Sequence, residues 1–132
     1  MSVFKIEVHK RFKDLDPYGH VSNAVVIDYI MEARVRFYRL LDIDMHAVTG
    51  QVVVRQEIDY RRPILYSLSP VIVRTWVSDV GNSSFTMTYQ ILDDQDVAVD
   101  AKAVMVCFDV EANKSRPIPT EFRVALTDVC EP

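Results

Sequence analysis

The polar segment between Lys13 and Asn23 carries most of the residue types in this chain that can do chemistry. It holds two carboxylates, Asp14 and Asp16, and one imidazole, His20. A carboxylate can act as a general base or as a nucleophile toward an acyl carbon, and an imidazole can move a proton. An apolar-striped stretch without Gly or Pro follows, which predicts a helix that begins directly after the segment. The first N–H groups of a helix are unpaired and partly positive, so the segment has the parts that acyl transfer needs.

One long helix and several strands are predicted to position this segment. Apolar residues recur at three- and four-residue spacing over 24–41, which predicts a helix of about five turns with Ser22 or Asn23 as its N-cap. Alternating apolar residues predict strands at Val3–Val8, Val53–Arg61 and Ser84–Ile91. A β-branched stretch predicts a strand at Val71–Val80, and Val97–Val110 reads as the longest strand. The stretch Thr120–Leu126 reads as a short final turn or helix. Because short connections between strands exclude parallel crossovers, we expect an α+β fold in which a curved antiparallel sheet of about five strands wraps around one central helix.

Composition limits the class of protein. A chain of 132 residues with 49% hydrophobic and 26% charged residues is typical of one globular domain, here spanning 1–132. The net charge of −4 and the lack of a basic run argue against nucleic acid as a partner. No apolar run approaches the ~20 residues that span a bilayer, and the start of the chain has no secretory pattern. With two separate cysteines, Cys107 and Cys130, a cytoplasmic location is expected.

The run Asp14-Leu-Asp16-Pro-Tyr-Gly19-His20-Val-Ser-Asn23, followed by Glu32-Ala-Arg34, resembles the signature of the hotdog-fold acyl-CoA thioesterases, the 4-hydroxybenzoyl-CoA thioesterase family. The resemblance covers nearly the whole chain, with weaker pieces at Ile58-Asp-Tyr60-Arg-Arg-Pro63, Val80–Ser83 and Arg116–Pro119. It implies hydrolysis of an acyl-CoA to a free acid and coenzyme A, with no cofactor or metal. It also implies a homodimer or homotetramer whose sites are shared between subunits.

The resemblance assigns roles to individual residues. Asp16 matches the catalytic carboxylate, as a base or as a nucleophile, and the oxyanion donor maps to a backbone N–H near Ser22 to Ala24. His20 either holds the loop or assists proton transfer, and Asn23 either caps the helix or points its amide at the acyl carbonyl. The remaining candidate substrate contacts are Tyr18, Gly19 and Ser22 in the loop, and Arg61, Arg62, Arg116 and Lys114 as partners for the phosphates of coenzyme A.

The substrate branch follows from two departures. Asn23 stands where the aryl-CoA branch has Tyr, and His20 where that branch has a branched apolar residue, so the chain is closer to the fatty acyl-CoA branch. The acyl chain is then expected beside the central helix, near Tyr29, Ile30 and Ala33. Related hydratases carry a D-x-N-P-x-H loop with different spacing, so hydration is disfavoured. An acyl-carrier-protein thioesterase and a non-catalytic acyl-thioester binding module are the alternatives.

Other polar residues have structural interpretations. Asp14 is expected to order the loop by accepting backbone N–H bonds. Glu32 is the second candidate base, and Arg34, on the apolar stripe, is predicted to form an ion pair across a subunit boundary. His9 and His46 are isolated and match no metal-site spacing. Cys107 lies in an apolar strand and is expected to be a buried thiol.

Overall fold

The computed structural model describes residues 2–43 and 50–131, so that the prediction for His46 lies outside the described residues. In chain order the elements are β1 (Phe4–Val8), α1 (Asn23–Leu40), β2 (Gln51–Tyr60), β3 (Val71–Val80), β4 (Ser84–Asp93), β5 (Asp96–Asp109), β6 (Lys114–Ser115) and α2 (Thr120–Asp128). A 3₁₀ turn at Phe12–Asp14 separates β1 from the polar loop. The predicted helix and strands are therefore present, with bounds that shift by one or a few residues.

The strands form an antiparallel sheet in the order β1-β3-β4-β5-β2, and the short β6 pairs with β5. Consecutive strands β3, β4 and β5 are neighbours because their short connections allow only hairpins. The curved sheet packs around α1, which confirms the predicted α+β hotdog architecture. None of the described helices is both long and apolar enough to cross a membrane.

The core lies between α1 and the concave face of the sheet. Along β3 and β4 every second side chain is buried, as the two-residue period of a strand requires. The buried face of α1 carries Val26, Ile30, Ala33 and Phe37. At the far end of the core, aromatic rings of α1, β4 and α2 meet edge to face, including Phe85 and Phe122 with centroids 5.3 Å apart. Each fully buried large side chain contributes roughly 1.5–3 kcal/mol, so the helix is held firmly on the sheet.

Arg34 lies inside this core and interacts within its own chain. Its Nε donates a hydrogen bond of 2.9 Å to the hydroxyl of Tyr89, and its guanidinium lies 5.8 Å from the centre of the same ring. No carboxylate of the described residues pairs with it. Within the chain the partner of Arg34 is thus an aromatic hydroxyl, and the ion pair across a subunit boundary stays a prediction.

Candidate active site

The polar loop is a miniature hairpin that leads into α1. The backbone N–H of Asp16 donates to the carbonyl oxygen of His20 at 2.7 Å, and that of Ser22 donates to the carbonyl oxygen of Asp14 at 2.9 Å. Gly19 has a φ of +79°, a conformation that side chains resist, which explains the glycine at the tip. The loop therefore has a fixed backbone, on which the acidic side chains take defined places.

The carboxylate of Asp16 uses only one of its oxygens to order the loop. Its Oδ1 accepts hydrogen bonds from the backbone N–H groups of Tyr18, at 2.9 Å, and His20, at 3.1 Å. Its Oδ2 has no hydrogen-bond donor among residues 2–43 and 50–131. The half-buried side chain thus presents one oxygen that is free to take a proton or to attack a carbon.

Asp14 has the opposite environment. It is buried, and its Oδ2 accepts hydrogen bonds from the hydroxyl of Tyr29, at 2.7 Å, and from the backbone N–H of Arg11, at 2.9 Å. Burial alone raises the pKa of Asp14, but these bonds and the charge of Arg11 outweigh it and lower the pKa below its ordinary value. Burial and the bond to Asp14 raise the pKa of Tyr29. Asp14 therefore ties the loop to α1, in agreement with the predicted loop-ordering role.

The start of α1 offers one unused backbone donor. Ser22 is the N-cap: its Oγ accepts from the N–H of Ala24 at 3.3 Å, and its carbonyl oxygen accepts from Val25 at 2.9 Å and Val26 at 3.2 Å. Within the described part of the chain, the N–H of Asn23 has no acceptor. Because the helix dipole adds partial positive charge there, Asn23 N–H is the donor best suited to an oxyanion. Asn23 is the first residue of the helix, so it does not cap it.

The loop, the helix start and the end of β2 enclose a cavity of about 390 Å³. Its polar wall carries the side chain of Asp16 and the helix start at Asn23, and its apolar floor includes Val26, Ile64 and Val99. The complete lining is Asp16, His20, Val21, Asn23, Val26, Tyr60, Arg61, Arg62, Pro63, Ile64 and Val99. The two residues that carry a free carboxylate oxygen and a free N–H, Asp16 and Asn23, thus line the same cavity, and such a pair of groups can act on a carbonyl group as base or nucleophile and as oxyanion donor.

Two predicted phosphate partners lie on this cavity, whereas two others do not. Arg61 and Arg62 are exposed at the rim and pair with Asp100 and Asp96 respectively. Arg116 lines a different cleft, beside Gly50 and Phe108 at the other end of β5, and Lys114 is exposed on β6. The single chain thus brings together the arginine pair but not the second cationic group.

Several other predicted contacts lie away from the cavity. Tyr18 is 84% exposed at the loop tip, and Glu32 pairs with Arg36 in a separate cleft beside β1. The expected acyl-lining residues Tyr29, Ile30 and Ala33 are buried in the core and do not line this cavity, where Val26 is the apolar residue that α1 contributes. They occupy the helix face that the sheet covers. Among the described residues, no three His, Cys, Asp or Glu side chains are grouped as metal ligands would be.

Tyr60 is the functional candidate that sequence analysis missed. It lines the cavity, and its hydroxyl donates a hydrogen bond of 2.9 Å to the carbonyl oxygen of Asn23. The apolar floor from Val26, Ile64 and Val99 was missed as well. The available signal was the Tyr60-Arg-Arg-Pro63 run, which closes β2 with an aromatic and two cations immediately before a Pro.

Comparison with known proteins identifies the family of the chain. The sequence profile of the Thioesterase-like superfamily matches residues 10–126. An uncharacterized Bacillus subtilis protein, YsmA, is 33% identical over 85 residues, which span 63% of this chain and 56% of that protein. The profile match confirms the predicted relationship to thioesterases, and the chain spans about half the length of the Bacillus relative.

Solved structures agree in fold. A predicted thioesterase from Bacillus stearothermophilus superposes with a TM-score of 0.88 at 26% identity, covering 98% of this chain and 97% of that one. A Thermus thermophilus thioesterase, solved in complex with coenzyme A and zinc, superposes with a TM-score of 0.84 at 33% identity, covering 95% and 92%. The hotdog architecture is therefore shared over nearly the full length of both.

Proposed function

The chain belongs to the Thioesterase-like superfamily, and from this premise we propose that it hydrolyses acyl-CoA thioesters in the cavity between the polar loop and α1. The observation that carries the proposal is the pair of unused groups on this cavity. Asp16 Oδ2 and the N–H of Asn23 have no partner in residues 2–43 and 50–131, although neighbouring polar groups of the loop are paired.

The two groups have complementary roles. The thioester carbonyl oxygen accepts a hydrogen bond from Asn23 N–H, which stabilises the negative charge that develops on it. Asp16 Oδ2 either takes a proton from the attacking water or attacks the carbonyl carbon itself, giving an anhydride that water then opens. In both routes the C–S bond breaks, the thiolate of coenzyme A leaves and is protonated, and a free acid remains. His20, on the same wall, is a candidate for delivering that proton.

The cavity walls suit the two ends of an acyl-CoA. The floor formed by Val26, Ile64 and Val99 is apolar and favours an alkyl chain. Arg61 and Arg62 are both exposed at the rim, and Arg61 pairs with the half-buried Asp100. Arg62 can exchange its exposed partner Asp96 for phosphate oxygens at little cost, because an exposed ion pair contributes only about 0–1 kcal/mol. The Thermus neighbour was solved with coenzyme A, which supports the same class of ligand here.

The test is release of free thiol from a ladder of saturated acyl-CoAs, compared with benzoyl- and 4-hydroxybenzoyl-CoA. Each buried CH₂ contributes roughly 0.8 kcal/mol, so kcat/KM is expected to rise about fourfold per methylene until the floor is filled. An aryl thioester that wins by about a hundredfold would contradict the aliphatic substrate and leave thioester hydrolysis intact. No turnover of any acyl-CoA would favour a carrier-protein substrate or a non-catalytic binding module.

A homodimer or homotetramer with shared sites is part of the proposal. Strand β2 is an edge of the sheet, ten residues long, and its valines Val52, Val53 and Val54 are exposed. An edge with unpaired N–H and C=O groups and apolar side chains tends to pair with a second strand. Two copies related by a two-fold axis would continue the sheet across this edge. Because Tyr60 ends β2 on the cavity, the partner chain would then lie beside the site.

A cytoplasmic location is also proposed. Both cysteines are free, and Cys107 is completely buried, as predicted. Burial raises the pKa of the Cys107 thiol, which keeps it protonated and unreactive. Free thiols of this kind are typical of reducing compartments.

A further inference from the structure

The end of β2 is held unusually firmly for an edge strand. Tyr60 is its last residue and pairs with Val99 on β5. Immediately before Val99, Ala98 is an extra residue in β5, because Ile91 pairs with Val99 while Leu92 pairs with Val97. The carbonyl oxygen of this bulged Ala98 accepts the N–H groups of residues 61 and 62, at 2.8 Å and 3.2 Å. Bulges of this kind commonly re-aim a side chain next to an active site.

From this anchored position Tyr60 reaches the start of α1. Its hydroxyl donates to the carbonyl oxygen of Asn23 at 2.9 Å. The N–H and the carbonyl of one residue are joined only by its own φ and ψ. A hydrogen bond that fixes the carbonyl therefore also restricts the direction of the N–H, which is the donor without an acceptor at the cavity wall.

We propose that Tyr60 is a positioning residue that aims the N–H of Asn23 at the thioester carbonyl oxygen. The inference rests on the proposed function, and it assigns to the end of β2 the task of holding the oxyanion donor. Tyr60 acts through Asn23 and is not assigned a step in the chemistry.

The phenol has the right chemistry for this task. Burial raises the pKa of Tyr60, so its hydroxyl stays protonated at neutral pH and can only donate to a carbonyl. The donor is therefore present at neutral pH. A donor held in place costs no reorganisation when charge develops on the substrate, which is the main advantage of an oxyanion site.

Tyr60→Phe removes the hydroxyl and keeps the ring. A net hydrogen bond contributes a few-fold to tenfold in an equilibrium, so kcat is expected to fall about tenfold with KM changed less than twofold. Tyr66→Phe is the matched control, because Tyr66 is also a partly exposed ring, and its hydroxyl has no hydrogen bond to any described residue. Its ring lies edge to face with Phe12, with centroids 5.8 Å apart. The Tyr66→Phe change should leave both constants unchanged. Thermal melting of both variants should match the wild type within a few degrees.

A second readout does not depend on turnover. In ¹H–¹⁵N spectra, Tyr60→Phe should shift the amide resonance of Asn23 and speed its exchange with solvent, and Tyr66→Phe should do neither. An Asn23 amide that Tyr60→Phe leaves unmoved would overturn the proposal, whatever the rate. A shifted Asn23 resonance with an unchanged kcat would overturn the proposal as well, because the direction of the Asn23 N–H would then not affect the rate. If the wild type hydrolysed no acyl-CoA, the proposed function would fail, and the amide measurement would still decide whether Tyr60 holds Asn23.

Discussion

The substitution Asp16→Asn distinguishes the roles of the two carboxylate oxygens of Asp16. An amide oxygen at the Oδ1 position can still accept the N–H groups of Tyr18 and His20, now at 2.9 Å and 3.1 Å from the carboxylate. The amide nitrogen takes the place of Oδ2, which has no partner in the described part of the chain. The substitution therefore keeps the acceptor that orders the loop and removes the oxygen that the loop leaves unbonded.

The expected effects differ greatly in size. Loss of a general base or nucleophile typically lowers the rate by about 10²–10⁴-fold, which corresponds to roughly 3–5 kcal/mol in the barrier. The two retained hydrogen bonds change only from charged to neutral acceptors at a half-buried site, so the free energy of unfolding should fall by about 1 kcal/mol or less. KM should change little, because the apolar floor and the arginine rim are untouched.

The assay is thiol release at saturating and limiting acyl-CoA, with urea unfolding of the same samples. Asp28→Asn is the matched control: Asp28 is an exposed carboxylate on α1 that faces the cleft beside β1 and should leave kcat unchanged. Asp16→Ala removes both oxygens and should lower stability as well as rate. An Asp16→Asn enzyme within threefold of wild-type kcat would refute the assignment and make Glu32 the next carboxylate to replace.

Three further predictions concern the loop, the rim and the edge. Asp14→Asn should lower the free energy of unfolding by about 1–3 kcal/mol, since it weakens the buried hydrogen bonds from Tyr29 and Arg11. Because the pKa of Asp14 in the folded protein lies below the ordinary 3.8, this difference should be full above about pH 4 and shrink as pH falls through the folded pKa. A difference in urea unfolding that does not depend on pH would contradict the prediction. Replacing both Arg61 and Arg62 with Gln should raise KM for acyl-CoA severalfold and leave kcat unchanged. As the control, the variant and the wild type should have equal KM values for a thioester that lacks the phosphates. Val53→Asp, on the β2 edge, should dissociate the proposed dimer, as measured by sedimentation. A wild-type protein that sediments as a monomer and still hydrolyses acyl-CoA would contradict shared sites.

Local patterns predicted those features that depend on local physics. The spacing of apolar residues indicated a helix over 24–41, and the structure has it at Asn23–Leu40 with Ser22 as the cap. β-Branched residues predicted β3 at its observed bounds, Val71–Val80. These features follow from backbone periodicity and capping, which a stretch of sequence contains by itself.

The residues that line the cavity could not be predicted from any local stretch of sequence. The apolar stripe at Tyr29, Ile30 and Ala33 would suit either the core or an acyl pocket. Only the position of the sheet, which covers these residues, shows that they belong to the core. Tyr60 and Asn23 are far apart in the chain, and their contact requires the register of β2 on β5, which in turn depends on the bulge at Ala98. Register and bulges are set by pairing between distant strands.

Asp14 and Asp16 show how environment divides the roles of two identical side chains. Both carboxylates belong to one small hairpin, yet Asp14 is buried with both oxygens hydrogen-bonded, whereas Asp16, which lines the cavity, has one oxygen without a hydrogen bond from the described residues. A group whose lone pairs are all engaged cannot accept a further proton without losing a bond, so Asp14 suits structure and Asp16 suits chemistry. The same reasoning applies to backbone donors at the helix start, where the N–H of Asn23 is left over after Ser22 has satisfied its neighbours. The candidate site is thus the set of groups on one cavity wall that the fold itself leaves unused.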